Sequence, residues 1–170
     1  MSGEGARSRP IRVLMVCMGN ICRSPTAEQV LRSKLQAAGL ALEVEVDSAG
    51  THAHWHDGEP PDDRSQRHAA RRGYDLSALR ARMVRDDDFQ RFDLMLAMDW
   101  DNLALLEDRR PAGARVRLQR LSEYACRIDQ QVVPDPYHGG AGGFERVLDL
   151  VEDACDGLVA VLRQQVPLDD

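Results

Sequence analysis

The chain has 170 residues, which suggests one domain, and its 43% hydrophobic and 29% charged residues are ordinary for a globular protein. Its 22 basic and 28 acidic residues give a net charge of −6, which argues against a general binder of nucleic acid or of anionic membranes. Four cysteines are too few for a disulfide scaffold, and no segment approaches about 18 uninterrupted apolar residues, the length of a membrane-spanning helix.

The N-terminal segment is polar and lacks the apolar run of a secretory signal. We therefore expect a disordered tail over residues 1–9 and a single domain over residues 10–166. We also expect a cytoplasmic location, where thiols are kept reduced.

The first half of the chain begins with a short apolar run, Ile11–Cys17, which predicts a buried parallel strand. Ser24 as the N-cap and Pro25 at the first helical position predict the start of a helix that Gly39 ends. The alternating pattern of residues 42–46 predicts a second strand.

The rest of the chain continues to alternate between helix-like and strand-like patterns. Residues 51–61 contain glycine and prolines and predict a loop, after which Asp62 or Asp63 caps a helix that ends near Gly73. The remaining predictions, in chain order, are a helix over 86–92, a strand over 94–98, a helix through 102–106, a strand near 116–118, a loop over 133–141 and a helix over 144–164.

This alternation of strands and helices predicts an α/β fold, a parallel sheet with helices on both faces. In open sheets of this kind, ligands bind beyond the carboxyl ends of the strands. Cys17 lies at the end of the first strand, so the residues that follow it are the first place to look for a site.

The segment between the first strand and the first helix, residues 17–25, reads CMGNICRSP. Gly19 and Asn20 are residue types that tolerate the left-handed backbone of a tight turn, so this loop can aim successive N–H groups inward as an anion site. The helix that follows adds its positive N-terminal end. Both this field and the nearby Arg23 favour the thiolate form of Cys17.

A thiolate, a nest of amides and a bidentate guanidinium together suit attack on a phosphoryl group. Cys17 would attack phosphorus while the amides and Arg23 hold its oxygens, and this chemistry requires no metal or other cofactor. The alternating histidines His52, His54 and His56 lie in a loop without cysteine or carboxylate partners at ligand spacing, and we predict that they are solvated.

Expulsion of the ester oxygen from phosphate requires a general acid. Asp135 is the candidate, because it lies in a predicted loop between two prolines that restrict its backbone. Tyr137 beside it is suited to form an aromatic wall for a ring substrate. The hydroxyl of Ser24 can both cap the helix and donate to the Cys17 thiolate.

At this point the chain resembles a low-molecular-weight protein tyrosine phosphatase. Residues 13–28, VLMVCMGNICRSPTAE, are similar to the V-C-x-G-N-x-C-R-S-P signature of that family. The similarity resumes in family order at residues 47–51, 92–93, 98–99 and 135–137. The resemblance implies a four-stranded parallel sheet and hydrolysis of phosphotyrosine in proteins, and of aryl phosphates, through a cysteinyl-phosphate. It implies inorganic phosphate as product, no cofactor, and a monomer or weak homodimer.

The resemblance also implies roles by position. Cys17 would be the nucleophile, Arg23 the phosphate clamp and Asp135 the proton donor, which then acts as base when water hydrolyses the intermediate. Cys22 would be the second cysteine, able to form a disulfide with Cys17 under oxidants, and an exposed reactive thiol beside a resolving thiol supports that reading. The residues expected to shape the loop or contact the substrate are Met18, Gly19, Asn20, Ile21, Cys22, Ser24, Trp55 and Tyr137.

Some positions depart from the family pattern. His138 stands where the family often has a second aromatic residue, and Trp55 is the counterpart of the wall aromatic although its loop is one residue longer. Leu79 and Met83 stand where relatives often have histidine and glutamine. The histidine that would buttress the loop serine through Glu28 is therefore expected to be missing, which lowers the expected rigidity of the loop and the rate of reaction.

Three other functions compete with hydrolysis of phosphotyrosine. A thioredoxin-coupled arsenate reductase needs relay cysteines, and none lies between Cys22 and Cys126. A protein-arginine phosphatase carries threonine where this chain has the bulky, apolar Ile21. A non-catalytic phosphate-binding or redox-sensing module would have no need of Asp135. Cys126 and Cys155 are expected to serve packing.

Overall fold

A parallel sheet of four strands forms the centre of the protein in the computed structural model, which describes residues 9–166. The strands are β1 (Ile11–Cys17), β2 (Val44–Gly50), β3 (Leu94–Ala97) and β4 (Arg117–Arg120), in the spatial order β2-β1-β3-β4. The predicted fold class is confirmed.

Within the described part of the chain, five α-helices and one 3-10 turn connect and cover these strands. They are α1 (Arg23–Ala37), α2 (Asp63–Ala70), α3 (Asp88–Arg91), α4 (Trp100–Arg109), the 3-10 turn Leu121–Tyr124 and α5 (Ala141–Gln165). Within residues 9–166, no helix combines the length and the apolar character needed to cross a membrane.

The register of the sheet brings the carboxyl ends of its strands to one edge. Cys17 pairs with Gly50 at the end of β2, and Val16 pairs with Ala97 at the end of β3. The segments that leave β1, β2 and β3 therefore start side by side, which is where a doubly covered parallel sheet places its ligand site.

The alternation of side chains along β1 divides the core between the two faces of the sheet. Val13 and Met15 belong to the cluster packed beneath α1 and α5, whereas Leu14 and Val16 belong to the cluster that includes Phe89 of α3. Both faces of the strand are therefore buried, as its continuous apolar sequence predicts.

Several predicted boundaries shift. The prediction of residues 42–46 for β2 is wrong in position, because Leu42 is exposed and the strand runs from Val44 to Gly50. Its polar second half pairs with β1 through the backbone, and the buried hydroxyl of Ser48 finds side-chain partners. The last helix starts three residues before Phe144.

The predicted caps have mixed outcomes. Asp62 caps α2 by accepting the backbone N–H of Arg64, as predicted. Ser24 is not an N-cap, because α1 already begins at Arg23 and Cys22 stands in the cap position without a side-chain bond. The Ser24 hydroxyl faces the end of β1 instead.

The predicted tail over residues 1–9 lies outside the described residues except for its last member. Arg9 donates two hydrogen bonds of 2.9 Å to the carboxylate of Asp93, so this residue is part of the ordered protein. Cys155 is buried as expected, but Cys126 is exposed, so the expectation that Cys126 serves packing is wrong.

Candidate active site

The loop between β1 and α1, residues 18–22, curls at the carboxyl edge of the sheet. Asn20 adopts a left-handed backbone with φ of 57°, the turn expected from its sequence. Gly50 at the end of β2 presses against this loop, since a Cβ there would lie 2.6 Å from the carbonyl oxygen of Met18 and 3.1 Å from the backbone nitrogen of Asn20. The end of β2 therefore supports the loop directly.

Cys17 lies at the bottom of this loop with only 2% of its surface exposed. Its Sγ is 3.0 Å from the Oγ of Ser24 and accepts the backbone N–H of Asn20 over 3.3 Å. Hydrogen-bond donors beside a cysteine at a helix N-terminus favour a thiolate, the form that acts as a nucleophile.

A buried network of polar side chains holds the loop from below. The Nδ2 of Asn20 donates to the hydroxyls of Ser24 (2.8 Å) and Ser48 (2.9 Å), and the Ser48 hydroxyl donates to Glu28 (2.6 Å). The Oδ1 of Asn20 accepts the backbone N–H of Arg82 over 2.9 Å. Ser48 thus joins the loop to Glu28 directly, without the histidine that the family pattern places near Leu79.

Glu28 ends this network in a buried position. Burial raises the pKa of its carboxyl group, although the hydrogen bond from Ser48 and the ion pair with Arg32 at 2.6 Å lower it in part. The carboxyl group therefore retains its proton to a higher pH than an exposed glutamate does.

Arg23 is the first residue of α1 and is only 3% exposed. Its Nη1 donates to the carboxylate of Asp99 (2.7 Å) and to the carbonyl oxygen of Val133 (3.1 Å). Burial alone lowers the pKa of Arg23, but the negative charges of an ionised Cys17 and of two neighbouring carboxylates raise it above its ordinary value, so the group stays cationic. Its Nε and Nη2 form no hydrogen bond within residues 9–166 and are available to two oxygens of an anion.

Asp135 lies in the segment between the 3-10 turn and α5, and it lines the same cleft as Cys17. Its Oδ2 is 3.8 Å from the Nη2 of Arg23, and the side chain is 44% exposed. Its Oδ1 accepts the backbone N–H of Tyr137 over 3.0 Å, which orients the carboxyl group. Among the described residues, Arg23 is the only cation within 4 Å of this carboxylate, and the side chain is accessible from the cleft.

These groups line one cleft of about 310 Å³. Its walls consist of Cys17, Met18, Gly19, Ile21, Cys22, Arg23, His56, Asp135, Tyr137 and His138. Of the residues predicted from sequence, Asn20 and Ser24 lie beneath the loop as supports, and the structure brings the three predicted catalytic residues together.

Trp55 does not line this cleft. Its side chain is 77% exposed, and its ring lies tilted against that of His54 with centroids 4.1 Å apart. His56 from the same loop lines the cleft instead, although the sequence predicts it as a solvated histidine; it lies against Gly19, and its Nδ1 is 2.7 Å from Glu59. Within residues 9–166, no three histidine, cysteine or acidic side chains are arranged to hold a metal ion.

Cys22 is buried at the side of the cleft. Burial raises the pKa of its thiol to about 12, although a hydrogen bond with Ser65 lowers it in part. It is therefore protonated at neutral pH. The supporting residues that sequence reasoning missed are Ser48, Arg82 and Asp99, which reach the loop from other segments of the chain.

Comparison with known proteins agrees with this geometry. A family model described as low molecular weight phosphotyrosine protein phosphatase matches residues 12–168. The chain is 46% identical over 158 residues to a low molecular weight protein-tyrosine-phosphatase of Streptomyces coelicolor (91% of this chain, 95% of the relative). It is 40% identical over 152 residues to low molecular weight phosphotyrosine protein phosphatase 2 of Drosophila melanogaster (89% and 92%).

A solved structure gives the same result. A protein tyrosine phosphatase from Entamoeba histolytica, crystallised with Hepes in the active site, superposes with a TM-score of 0.86 and 40% sequence identity. The superposition covers 91% of this chain and 97% of that one.

Proposed function

The chain belongs to the low molecular weight phosphotyrosine protein phosphatase family and is a protein-tyrosine-phosphatase, and we propose that Cys17, Arg23 and Asp135 carry out its reaction. The observation that supports these roles is their convergence on one cleft, with the guanidinium of Arg23 lying 3.8 Å from the carboxylate of Asp135. A nucleophile, an anion clamp and a general acid are the three groups that hydrolysis of a phosphate ester requires.

In the first step, the Cys17 thiolate attacks phosphorus, forming an S–P bond as the P–O bond to the substrate oxygen breaks. Asp135 donates its proton to the departing oxygen, so the leaving group departs as a neutral phenol. The loop amides and the Nε and Nη2 of Arg23 hold the phosphoryl oxygens, where negative charge is spread in the transition state.

In the second step, Asp135 accepts a proton from water, and that water attacks phosphorus. The S–P bond breaks, inorganic phosphate leaves, and the Cys17 thiolate is regenerated. The reaction consumes only the phosphate ester and water. Because the nucleophile must stay reduced, we propose that the enzyme acts on phosphoproteins in a reducing compartment such as the cytoplasm.

The walls of the cleft support an aromatic phosphate ester as the substrate. Ile21 and Tyr137 present apolar surface beside the thiol, which suits the ring of phosphotyrosine. A phosphoarginine side chain would place a polar guanidinium against Ile21, leaving its donors without partners. We therefore propose that tyrosine-phosphorylated proteins are preferred over arginine-phosphorylated ones.

The experiment compares three substrates: p-nitrophenyl phosphate, a phosphotyrosyl peptide and a phosphoarginyl peptide. We expect Cys17→Ser to lose activity on all three and Asp135→Ala to slow the phosphotyrosyl peptide by roughly 10²- to 10⁴-fold. Asp135→Ala should slow p-nitrophenyl phosphate less, because nitrophenolate leaves readily without a proton. The exposed residues Cys126 and Asp129 provide matched controls, Cys126→Ser and Asp129→Ala, which should keep wild-type rates.

A different experimental result would contradict each proposed role and the proposed substrate preference. Activity retained in Cys17→Ser would exclude Cys17 as the nucleophile. Equal slowing of good and poor leaving groups in Asp135→Ala would exclude Asp135 as the acid. Faster turnover of phosphoarginine than of phosphotyrosine would overturn the argument from Ile21.

A further inference from the structure

A second arginine lies next to the cleft without lining it. Arg64, on α2, places its guanidinium carbon 5.2 Å from the ring centroid of Tyr137 and 4.8 Å from that of Phe144. Both distances fall within the range of a cation–π interaction. Tyr137 belongs to the wall of the cleft, whereas Phe144 is a buried residue of α5. Arg64 therefore contacts both a residue of the cleft wall and a residue in the packed body of the protein.

The guanidinium of Arg64 is held in place by Asp62. Its Nε and Nη2 donate to the two carboxylate oxygens of Asp62 over 3.1 and 2.9 Å, the planar bidentate geometry that fixes an arginine most firmly. Asp62 is itself attached to the phosphate loop, because its backbone N–H donates to the carbonyl oxygen of Ile21 over 2.8 Å. The position of Arg64 is therefore fixed relative to the loop that binds the phosphoryl group.

Tyr137 needs such a contact to act as a wall. Its ring is 38% exposed and meets His138, its neighbour in the chain, edge-on at a centroid distance of 5.0 Å. Its phenolic hydroxyl forms no hydrogen bond within residues 9–166. The contact with His138 lies within one loop, whereas Arg64 connects the ring to α2 and, through Asp62, to the phosphate loop.

We propose that Arg64 is a positioning residue that holds the ring of Tyr137 at the distance from the phosphate loop which an aromatic phosphate ester requires. The proposal rests on the proposed function, since it assigns Tyr137 to the substrate ring. It concerns binding of the ring and leaves the chemical steps at Cys17 to the groups already described.

The proposal separates two classes of ligand. Inorganic phosphate occupies the loop and Arg23 but has no ring, so its competitive inhibition constant should be independent of Arg64. A phosphotyrosyl peptide packs its ring on Tyr137, so its KM should depend on Arg64. Loss of one cation–π contact predicts an increase in that KM of roughly three- to tenfold, with kcat within about twofold of wild type.

The test uses the full chain with Arg64→Met. This substitution retains an unbranched aliphatic stem and removes the cation. Arg67→Met, an exposed arginine on the same helix, is the matched control. KM and kcat are measured with the phosphotyrosyl peptide, and the inhibition constant with inorganic phosphate. An unchanged inhibition constant also shows that the phosphate loop of the variant is folded.

A double-mutant cycle with Tyr137→Ala decides whether Arg64 acts through that ring. We expect Arg64→Met to raise KM in the wild-type background and to add less than twofold in the Tyr137→Ala background. An equal increase in both backgrounds, or a parallel rise in the phosphate inhibition constant, would overturn the proposal. Failure of the proposed function would appear separately, as phosphatase activity that survives Cys17→Ser.

Discussion

The hydroxyl oxygen of Ser24 lies 3.0 Å from the sulfur of Cys17 and accepts a hydrogen bond from the Nδ2 of Asn20 over 2.8 Å. Because the Asn20 amide donates to that oxygen, the hydroxyl hydrogen does not point at the amide, and an ionised Cys17, which has no hydrogen of its own, can only accept it. Ser24 therefore donates to Cys17, and the contact stabilises the thiolate more than the thiol.

The first prediction follows from this contact. Ser24→Ala removes a hydrogen bond to an ionised group, a loss of about 1.5–3 kcal/mol, and should reduce both kcat and the rate of Cys17 alkylation by iodoacetamide at pH 6 by roughly tenfold or more. Ser33→Ala, the same substitution farther along α1, is the control and should change neither rate. Unchanged alkylation in Ser24→Ala would show that the hydroxyl does not stabilise the thiolate.

The second prediction concerns Asp99, which accepts from both Arg23 and the first turn of α4. Asp99→Asn keeps a good helix cap but removes the negative charge beside Arg23. We expect the thermal midpoint to change little while the inhibition constant of inorganic phosphate rises roughly tenfold, because one charge-assisted hydrogen bond no longer orients the guanidinium. The exposed Asp101 supplies the control, Asp101→Asn; equal phosphate binding in the two variants would contradict the role of Asp99.

The third prediction is a pH dependence of stability that originates at Glu28. Burial raises the pKa of this group in the folded protein, so the folded state holds its proton more tightly than the unfolded chain does. The contribution of Glu28 to the free energy of unfolding is therefore fully present at low pH. It falls as the pH rises above 4.5, the ordinary pKa of glutamate.

Glu28→Gln removes that titration while retaining an oxygen that accepts from Ser48. The free energy of unfolding, measured by urea titration at several pH values above 4.5, should fall with pH in the wild type relative to the variant. Glu43→Gln, at an exposed position, should leave the pH profile parallel to wild type. A wild-type curve that rises with pH relative to Glu28→Gln would reverse the sign and exclude the argument.

The fourth prediction concerns oxidation. We predict that hydrogen peroxide converts the Cys17 thiolate to a sulfenic acid with release of hydroxide, and that attack by Cys22 on this sulfenic acid then forms a disulfide with release of water. Since the pKa of Cys22 is raised to about 12, closure of the disulfide should accelerate as pH increases from 6 to roughly 9.

The measurement is recovery of activity with dithiothreitol after peroxide treatment. Wild type should recover most of its activity, whereas Cys22→Ser should recover less, because the unprotected sulfenic acid proceeds to irreversible oxides. Cys126→Ser removes an exposed cysteine and should recover like wild type. Full recovery of Cys22→Ser would mean that another group protects Cys17.

The sequence predicts the central strand to the residue, because Ile11–Cys17 is buried on both faces and its apolar run has clear ends. The second strand is harder, since Asp47 and Ser48 break the apolar pattern while the backbone continues to pair with β1. Burial of Ser48 is possible only because Asn20 and Glu28 satisfy its hydroxyl, and those partners are distant along the chain.

The site likewise has a part that the sequence predicts and a part that it does not. Cys17, Arg23 and their supports Asn20 and Ser24 lie within one short segment whose spacing carries the chemistry. The spacing of residues in the sequence does not reveal contacts made by other segments of the chain. Asp99 is 76 residues from Arg23, and Arg82 is 62 residues from Asn20. The orientation of the loop after β2 is likewise a tertiary property, which is why His56 lines the cleft and Trp55 does not.

The contacts of Arg23 have a thermodynamic consequence for ligand binding. Asp99 and the carbonyl of Val133 fix the rotamer of Arg23 through Nη1 alone, leaving the opposite edge of the guanidinium for phosphate. Immobilising a free arginine costs about 1.5–2 kcal/mol of conformational entropy, and here that loss occurs when the chain folds. Association with phosphate therefore leaves the entropy of this side chain nearly unchanged, and the strength of the clamp is set by the folding of the segments around it.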